Sequence, residues 1–306
     1  MTIYTLALAI VTMTAGAQAQ PDPPSRLAEL AGQARKLQDN GQRSEAIVLY
    51  RQILAQDPRS ADAHIGLGES LDLEGKFSEA RQHLRQGIEL SHDEDINAAL
   101  SAMGVSYAFE ANATEAAKYY QRAFDRHVKA GGLDSAGGTA NGLGRVYLET
   151  GDFANAEKWY RTGYETASKV TGRTPAQADL TEMRWHHAQA RIAARRKQFD
   201  IARKHVEEVR AIVERGQLGA SQRANHPHVA GYVAFYQGNP DLAIAELSKA
   251  DQEDPFILSL LAQAYEQKKD LAKARELYAK IMALSSHSLQ MAFARPLAGR
   301  RLAGTQ

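Results

Sequence analysis

Arg184, His187, Arg191 and Arg195 stand at positions i, i+3, i+7 and i+11. At 100° per residue these four fall within an arc of about 80° on a helix, so they form one basic stripe. Guanidinium groups hold carboxylates through paired, charge-assisted hydrogen bonds, so the chemistry on offer is recognition of an anion. The stretch from Arg184 to Lys204 contains seven Lys+Arg and one Asp, a charge of +6. The 306-residue chain has 37 Lys+Arg against 36 Asp+Glu, a net charge of +1, so everything outside that stretch carries −5. A near-neutral chain gives no overall reason to expect nucleic acid or a membrane surface as partner. The local excess marks where an acidic partner would be drawn.

Other chemistry is hard to assemble. With no cysteine there is no disulfide, thiol nucleophile, Cys-held metal or lipidated Cys. No H-E-x-x-H, G-x-S-x-G or P-loop G-K-[ST] pattern occurs. The glycine-rich run Gly137-Gly138-Thr139-Ala140-Asn141-Gly142-Leu143-Gly144 lacks the Lys and preceding strand of a phosphate cradle. His186 and His187 are adjacent, hence about 100° apart on a helix, and cannot easily share a metal. His226 and His228 flank Pro227 and could converge, but zinc would need a third ligand. The acidic run Asp93-Glu94-Asp95 reads as a helix start rather than a calcium loop. The expectation is a protein without catalysis, cofactor or resident metal.

The first nineteen residues carry no charged side chain. The apolar run Leu6–Val11 leads into the small-residue triplets Ala15-Gly16-Ala17 and Ala17-Gln18-Ala19. This is the layout of a secretory signal peptide, cleaved after Ala17 or Ala19, and the run is too short to span a bilayer. Export to the periplasm or beyond follows as an expectation, with no membrane insertion after cleavage. Residues 20–26, with Pro21, Pro23 and Pro24, read as an extended lead-in.

The stripe needs helices to position it, and from Ser25 onward the sequence repeats. Leu67-Gly68, Leu71, Gly75, Phe77, Ala80 and Leu84 recur at the same offsets as Leu143-Gly144, Tyr147, Gly151, Phe153, Ala156 and Tyr160. Met103-Gly104, Tyr107, Ala116 and Tyr120 follow, as do Ala230-Gly231, Ala234, Gly238, Ala243 and Leu247. Leu261-Ala262, Tyr265, Leu271, Ala274 and Tyr278 complete the set, while Gln189, Ala190, Ala193, Phe199, Ala202 and Val206 give a weaker match. Each unit is an apolar helix, a breaker and a second apolar helix. The 53 alanines and the small residue in each first helix favour close helix packing. Leu67, Leu71, Tyr107, Tyr147, Phe153 and Tyr265 are the expected core.

On these residues the chain resembles the tetratricopeptide repeat family. Units begin at Leu27, Ala61, Asn97, Gly137, Met183, Ala224 and Pro255, with inserts at 131–136, 171–182 and 217–223. The resemblance implies an all-α right-handed superhelix of helix–turn–helix units over residues 27–288. Residues 289–306 then form a capping helix, broken at Pro296, and a tail.

In this family the first helix of each unit lines a concave groove. Carried over, the groove positions are Asn141 and Arg145 of unit four and Arg184, His187, Arg191 and Arg195 of unit five. Unit six adds Asn225, His228, Tyr232, Phe235 and Tyr236. Such a surface resembles the carboxylate-holding groove of some tetratricopeptide proteins, although the Lys-Asn-Asn-Lys-Arg pattern of that clamp is not reproduced. Unit two offers Asp62, Glu69 and Asp72 at the same offsets, an acidic counterpart. The reading implied is a scaffold of the bacterial envelope that holds a protein or peptide segment, acidic or carboxylate-bearing, during assembly of a pilus, secretion or outer-membrane complex. Two alternatives remain: an accessory regulator of an envelope enzyme such as one acting on peptidoglycan, and a metal- or small-molecule-binding protein centred on His187, His226 and His228.

Overall fold

The computed structural model describes residues 23–92 and 95–304, and every described element is a helix. Seven hairpins follow in order. They are α1 (Pro23–Asp39) with α2 (Arg43–Gln56), α3 (Ala61–Leu73) with α4 (Phe77–Leu90), and α5 (Asp95–Phe109) with α6 (Ala113–Lys129). Then come α7 (Leu133–Thr150) with α8 (Phe153–Ser168), and α9 (Pro175–Arg195) with α10 (Phe199–Glu214). After the single turn α11 (Ala220–Arg223) come α12 (Asn225–Gln237) with α13 (Pro240–Leu247), α14 (Pro255–Gln267) with α15 (Leu271–Ala283), and lastly α16 (Leu289–Ala303). No described helix is long and apolar enough to cross a membrane. The expected signal peptide lies outside the described residues.

Close approach within a hairpin depends on the small residue in its first helix. A Cβ on Gly68 would stand 2.6 Å from Leu84 Cγ, and one on Gly144 would stand 2.9 Å from Tyr160 Cγ. In unit five Ala190 and Val206 take the corresponding places, both buried, so the weakest sequence match still folds as a regular hairpin. Stacking joins the units, with Leu67 and Leu71 fully buried beside Tyr50 and Ala80. Tyr107, Tyr147, Phe153 and Tyr265 are only partly buried, contrary to expectation. They pack from the margins of the clusters, as in the stacked pair Tyr107–Tyr119.

Four boundaries differ from the sequence reading. Helix α1 already begins at Pro23, because proline is tolerated in a helix's first turn, where amide donors have no intrahelical partner. Leu133 opens α7, so most of the expected insert at 131–136 is helical. Helix α9 starts at Pro175 rather than near Met183, with Thr174 and Gln177 forming a reciprocal capping box. Helix α16 runs unbroken through Pro296. Its packing outweighs a local cost of about 3 kcal/mol for an interior proline.

That packing makes α16 more than a cap. It lies against α14 and α15 and also against the first helices α5 and α7, on the inner face of the superhelix. The segment before it returns to the first two units. Arg43 donates to the carbonyl of Met282 at 3.2 Å, and Ser285 Oγ donates to the carbonyl of Asp39 at 2.7 Å. His287 Nε2 meets Asp72 Oδ2 at 2.9 Å, and Arg295 Nε donates to the carbonyl of Leu73 at 2.8 Å. The protein's own C-terminus therefore occupies part of the concave surface.

Candidate functional site

Between α7, α9 and α12 a cleft of about 350 Å³ remains open on the inner face. Helix α7 contributes Gly138, Asn141 and Arg145, α9 contributes Arg184, His187 and Arg191, and α12 contributes Asn225 and His228. The spacing of four between Asn141 and Arg145, and of three and four along α9, puts these side chains on matching faces. Tyr160 of α8, Asp254 at the start of α14, and Leu289 and Gln290 of α16 complete the lining. A neighbouring cleft of about 220 Å³ shares Gly138, Asn141 and Arg184 and continues past Arg173 and Trp185. A side chain at 138 would meet nothing within 4 Å, so this glycine leaves the junction of the two clefts open.

The interior of the first cleft is basic and poor in acceptors. His187 and His228 are almost fully buried, with ring centroids 4.9 Å apart in an edge-to-face arrangement. Burial first, and then the charges of Arg191 and Arg145, push both imidazoles well below their usual range, so they are neutral at pH 7. Nε2 of each is buried without a hydrogen-bond partner. Arg145 lies over the Phe256 ring at 4.6 Å, yet its buried Nε and Nη2 also lack partners. Arg191, only 4% exposed, donates from Nη2 to Tyr160 Oη at 2.7 Å. Arg184 is solvent-exposed at the rim.

Further along the same face the charge is cancelled. Arg195 Nη1 lies 3.2 Å from Glu149 Oε2, and Arg191 Nη1 lies 4.0 Å from Glu149 Oε1, with the Glu149 side chain 7% exposed. Around this pair Arg195 sits over the rings of Phe153 at 5.5 Å and Tyr236 at 5.3 Å. Tyr232 is completely buried against Tyr236 and Phe256, and Phe235 packs edge-on to Tyr236.

The expected groove thus divides. Asn141, Arg145, Arg184, His187, Arg191, Asn225 and His228 meet around one cleft. Arg195, Tyr232, Phe235 and Tyr236 instead form an internal layer, and Tyr232 offers no surface to a partner. The reason is geometric: an 80° arc on a long, tightly stacked helix faces the next unit over part of its length. The acidic counterpart is likewise internal at Asp72, which accepts from Ser106 Oγ at 2.9 Å and pairs with His287. His226 lines a different cleft, with Arg203 and Arg210 of α10, so it does not converge with His187 and His228. Among the described residues no group of three His, Asp or Glu could hold a metal.

Sequence reasoning missed Glu149, Tyr160, Asp254 and Gln290. Glu149 continues the series Asn141, Arg145 and was within reach of the same spacing argument. Tyr160 read as a repeat core position. Asp254 caps the first helix of unit seven and reaches the cleft through the stacking of that unit on unit six, whereas Gln290 arrives through the return of the C-terminus and leaves no local signal.

Comparison with known proteins gives a consistent result for the fold. Tetratricopeptide repeat profiles match residues 37–103, 95–169 and 228–288, together more than half of the chain. A tetratricopeptide repeat protein from Parabacteroides merdae is 12% identical with a TM-score of 0.55, covering 91% of this chain and 98% of its own. The tetratricopeptide-like repeats of a Podosopora anserina kinesin light chain are 21% identical with a TM-score of 0.53, covering 65% and 99%. PilW, described as a type IV pilus biogenesis factor, is 15% identical with a TM-score of 0.50, covering 73% and 91%. Among curated proteins no significant match is found. At these identities the solved structures speak for the fold alone, whereas the repeat profiles recur along the sequence itself: the chain belongs to the tetratricopeptide repeat family.

Proposed function

We propose that this protein is a non-catalytic, exported interaction scaffold of the bacterial cell envelope that holds a segment of another protein along its inner face. Tetratricopeptide-repeat proteins act as protein–protein interaction scaffolds. The observation that carries the proposal is the pair of clefts meeting at Gly138, where Asn141 and the exposed Arg184 line both. An extended segment bearing acidic side chains or a terminal carboxylate fits there, its charge drawn by Arg184 and its apolar groups covered by Trp185 and Leu180. The signal-like first nineteen residues support export. PilW, which shares the fold, is described as a type IV pilus biogenesis factor, and assembly of a pilus, secretion or outer-membrane complex is the role we propose here.

The test has two parts. Fractionation should find the chain in the periplasm, trimmed after Ala17 or Ala19. A photo-crosslinking residue placed at Asn141 or Gln177 should capture a defined envelope protein in cells, and Arg184→Glu should abolish that adduct. Crosslinks unchanged by Arg184→Glu would remove this surface from consideration, and a cytoplasmic, untrimmed chain would remove the envelope role.

A further inference from the structure

The cleft between α7, α9 and α12 holds more positive charge than the protein's own carboxylates match. Glu149 is taken up by Arg191 and Arg195. Asp254 caps α14, accepting from the amides of Phe256 at 2.8 Å and Ile257 at 3.3 Å. Arg145 is left with the face of Phe256, and its buried Nε and Nη2 have no acceptor. Nε of Arg191 and Nε2 of both His187 and His228 share that condition, while Arg191 Nη1 faces Glu149. Five unsatisfied, buried nitrogens thus surround one cleft. Buried donors normally find partners, and charged ones almost always do.

The donors' chemistry points to the kind of ligand they suit, since water would satisfy them without supplying charge. A metal cation is disfavoured, because Arg145 and Arg191 flank the two imidazoles and would repel it. A neutral apolar molecule would leave every donor unsatisfied. An oxyanion answers both demands, since it supplies several acceptor lone pairs and the missing negative charge. A volume of about 350 Å³ suits a molecule of metabolite size rather than an element of a folded partner.

We infer that this cleft is a binding site for a small diffusible oxyanion, a molecule with a carboxylate or phosphate group. In it Arg145 holds the charge, Arg191 adds its Nε, His187 and His228 donate from Nε2 in the tautomer protonated there, and Arg184 stands at the mouth. This goes beyond the scaffold role and does not depend on it. Because Leu289 and Gln290 of α16 form one wall, an occupied site also ties the C-terminal helix to the middle of the superhelix.

Calorimetric titration of the mature protein with sodium phosphate and with sodium citrate, against sodium chloride at matched ionic strength, tests the inference. Saturable binding of at least one of the two anions is expected. Gly138→Phe should weaken it at least tenfold, because a side chain there enters the open cleft without displacing the core, whereas Gly138→Ala should retain it. Arg145→Met should abolish binding, and Arg85→Met, which removes an exposed charge elsewhere, should not. Hydrogen exchange in α16 should slow when the anion is bound. No saturable binding of either anion overturns the inference, as does binding that Gly138→Phe leaves intact. If Arg145→Met fails to fold, Gly138→Phe and Gly138→Ala still decide. Failure here leaves the crosslinking result standing, and failure of crosslinking leaves the titration standing.

Discussion

Arg145 and Arg195 look alike from their surroundings and differ in what answers them. Both are partly buried on the inner face, and both lie over aromatic rings, Phe256 for Arg145 and Phe153 with Tyr236 for Arg195. Arg195 shares Glu149 with Arg191, so its end of the face is a closed ion-pair layer inside the stack. Arg145 has no carboxylate, and its end stays open as a cleft. A line of basic residues therefore does not by itself mark a site. What separates a binding cleft from a structural layer is whether the fold has already supplied the counter-charge.

The strongest way to break this comparison is to remove the counter-charge. Glu149→Gln leaves Arg191 and Arg195 buried against each other, and should cost about 3–5 kcal/mol, the range for stripping one partner from a buried pair. Arg145→Met keeps an unbranched chain over Phe256 and removes a charge that nothing in the fold answers, so it should change stability by about 1 kcal/mol or less. Urea denaturation of both variants reads the difference as a shift in midpoint at constant slope. Equal losses would mean that Arg145 is as structural as Arg195, and the division into cleft and layer would fall.

A second effect is strongest in the cleft, although His83, His127, His186, His205 and His226 are shifted the same way by burial. His187 and His228 are held below their ordinary value of 6.5, first by burial and then by the neighbouring arginines, while the unfolded chain protonates normally. Between the unfolded and folded values the unfolded state binds more protons, so folding stability must fall as pH drops below 6.5. The loss is about 1.4 kcal/mol per pH unit for each such histidine. His287 works in the opposite sense. Burial alone would lower it, but Asp72 and Glu69 raise it on balance, so its contribution is present at low pH and lost as pH rises. Denaturation curves from pH 7.5 to 5 should therefore show a steep decline that is shallower in His228→Asn. A profile that His228→Asn leaves unchanged would mean that the cleft histidines are solvated, and with them the cleft.

How much of this was legible in the sequence depends on the range over which each feature is encoded. The hairpins are local: Gly68 faces Leu84 and Gly144 faces Tyr160 because a small residue and its partner recur sixteen positions apart within one unit. Seven of the expected groove residues reach one cleft because each faces inward from the first helix of its own unit. The failures that matter for the site are mostly non-local. Tyr232 was expected at the surface, but whether a face is groove or interface depends on the angle at which unit five meets unit six. The occupation of the concave surface by α16 depends on Arg43, Asp72 and Leu73 meeting residues more than two hundred positions away. The offset of Pro175 from the expected start near Met183 is the exception, since the capping box at Thr174 and Gln177 was readable.

The smallest expected effect separates the backbone that carries the two ends from the side chains that define them. Helix α7, bearing Arg145 and Glu149, ends in Gly151 at φ 89°, and helix α9, bearing Arg191 and Arg195, turns through Lys197 at φ 60°. The hydrogen bonding of the two turns is the same. Asp152 N donates to the carbonyl of Tyr147 at 2.9 Å, and Gln198 N donates to that of Ala193 at 2.8 Å. Only the residue type differs, and a left-handed conformation costs a residue with a Cβ about 1–2 kcal/mol, part of which glycine returns as entropy in the unfolded chain. Lys197→Gly should therefore stabilise the protein by about 0.5–1 kcal/mol, and Gly151→Lys should destabilise it by a similar or larger amount. Neither exchange touches the cleft, so anion affinity measured by titration should stay the same in both. A change in affinity from Lys197→Gly would show that the pitch of α9 itself positions Arg191 and His187, which would make the turn, rather than the counter-charge alone, part of what sets the two ends apart.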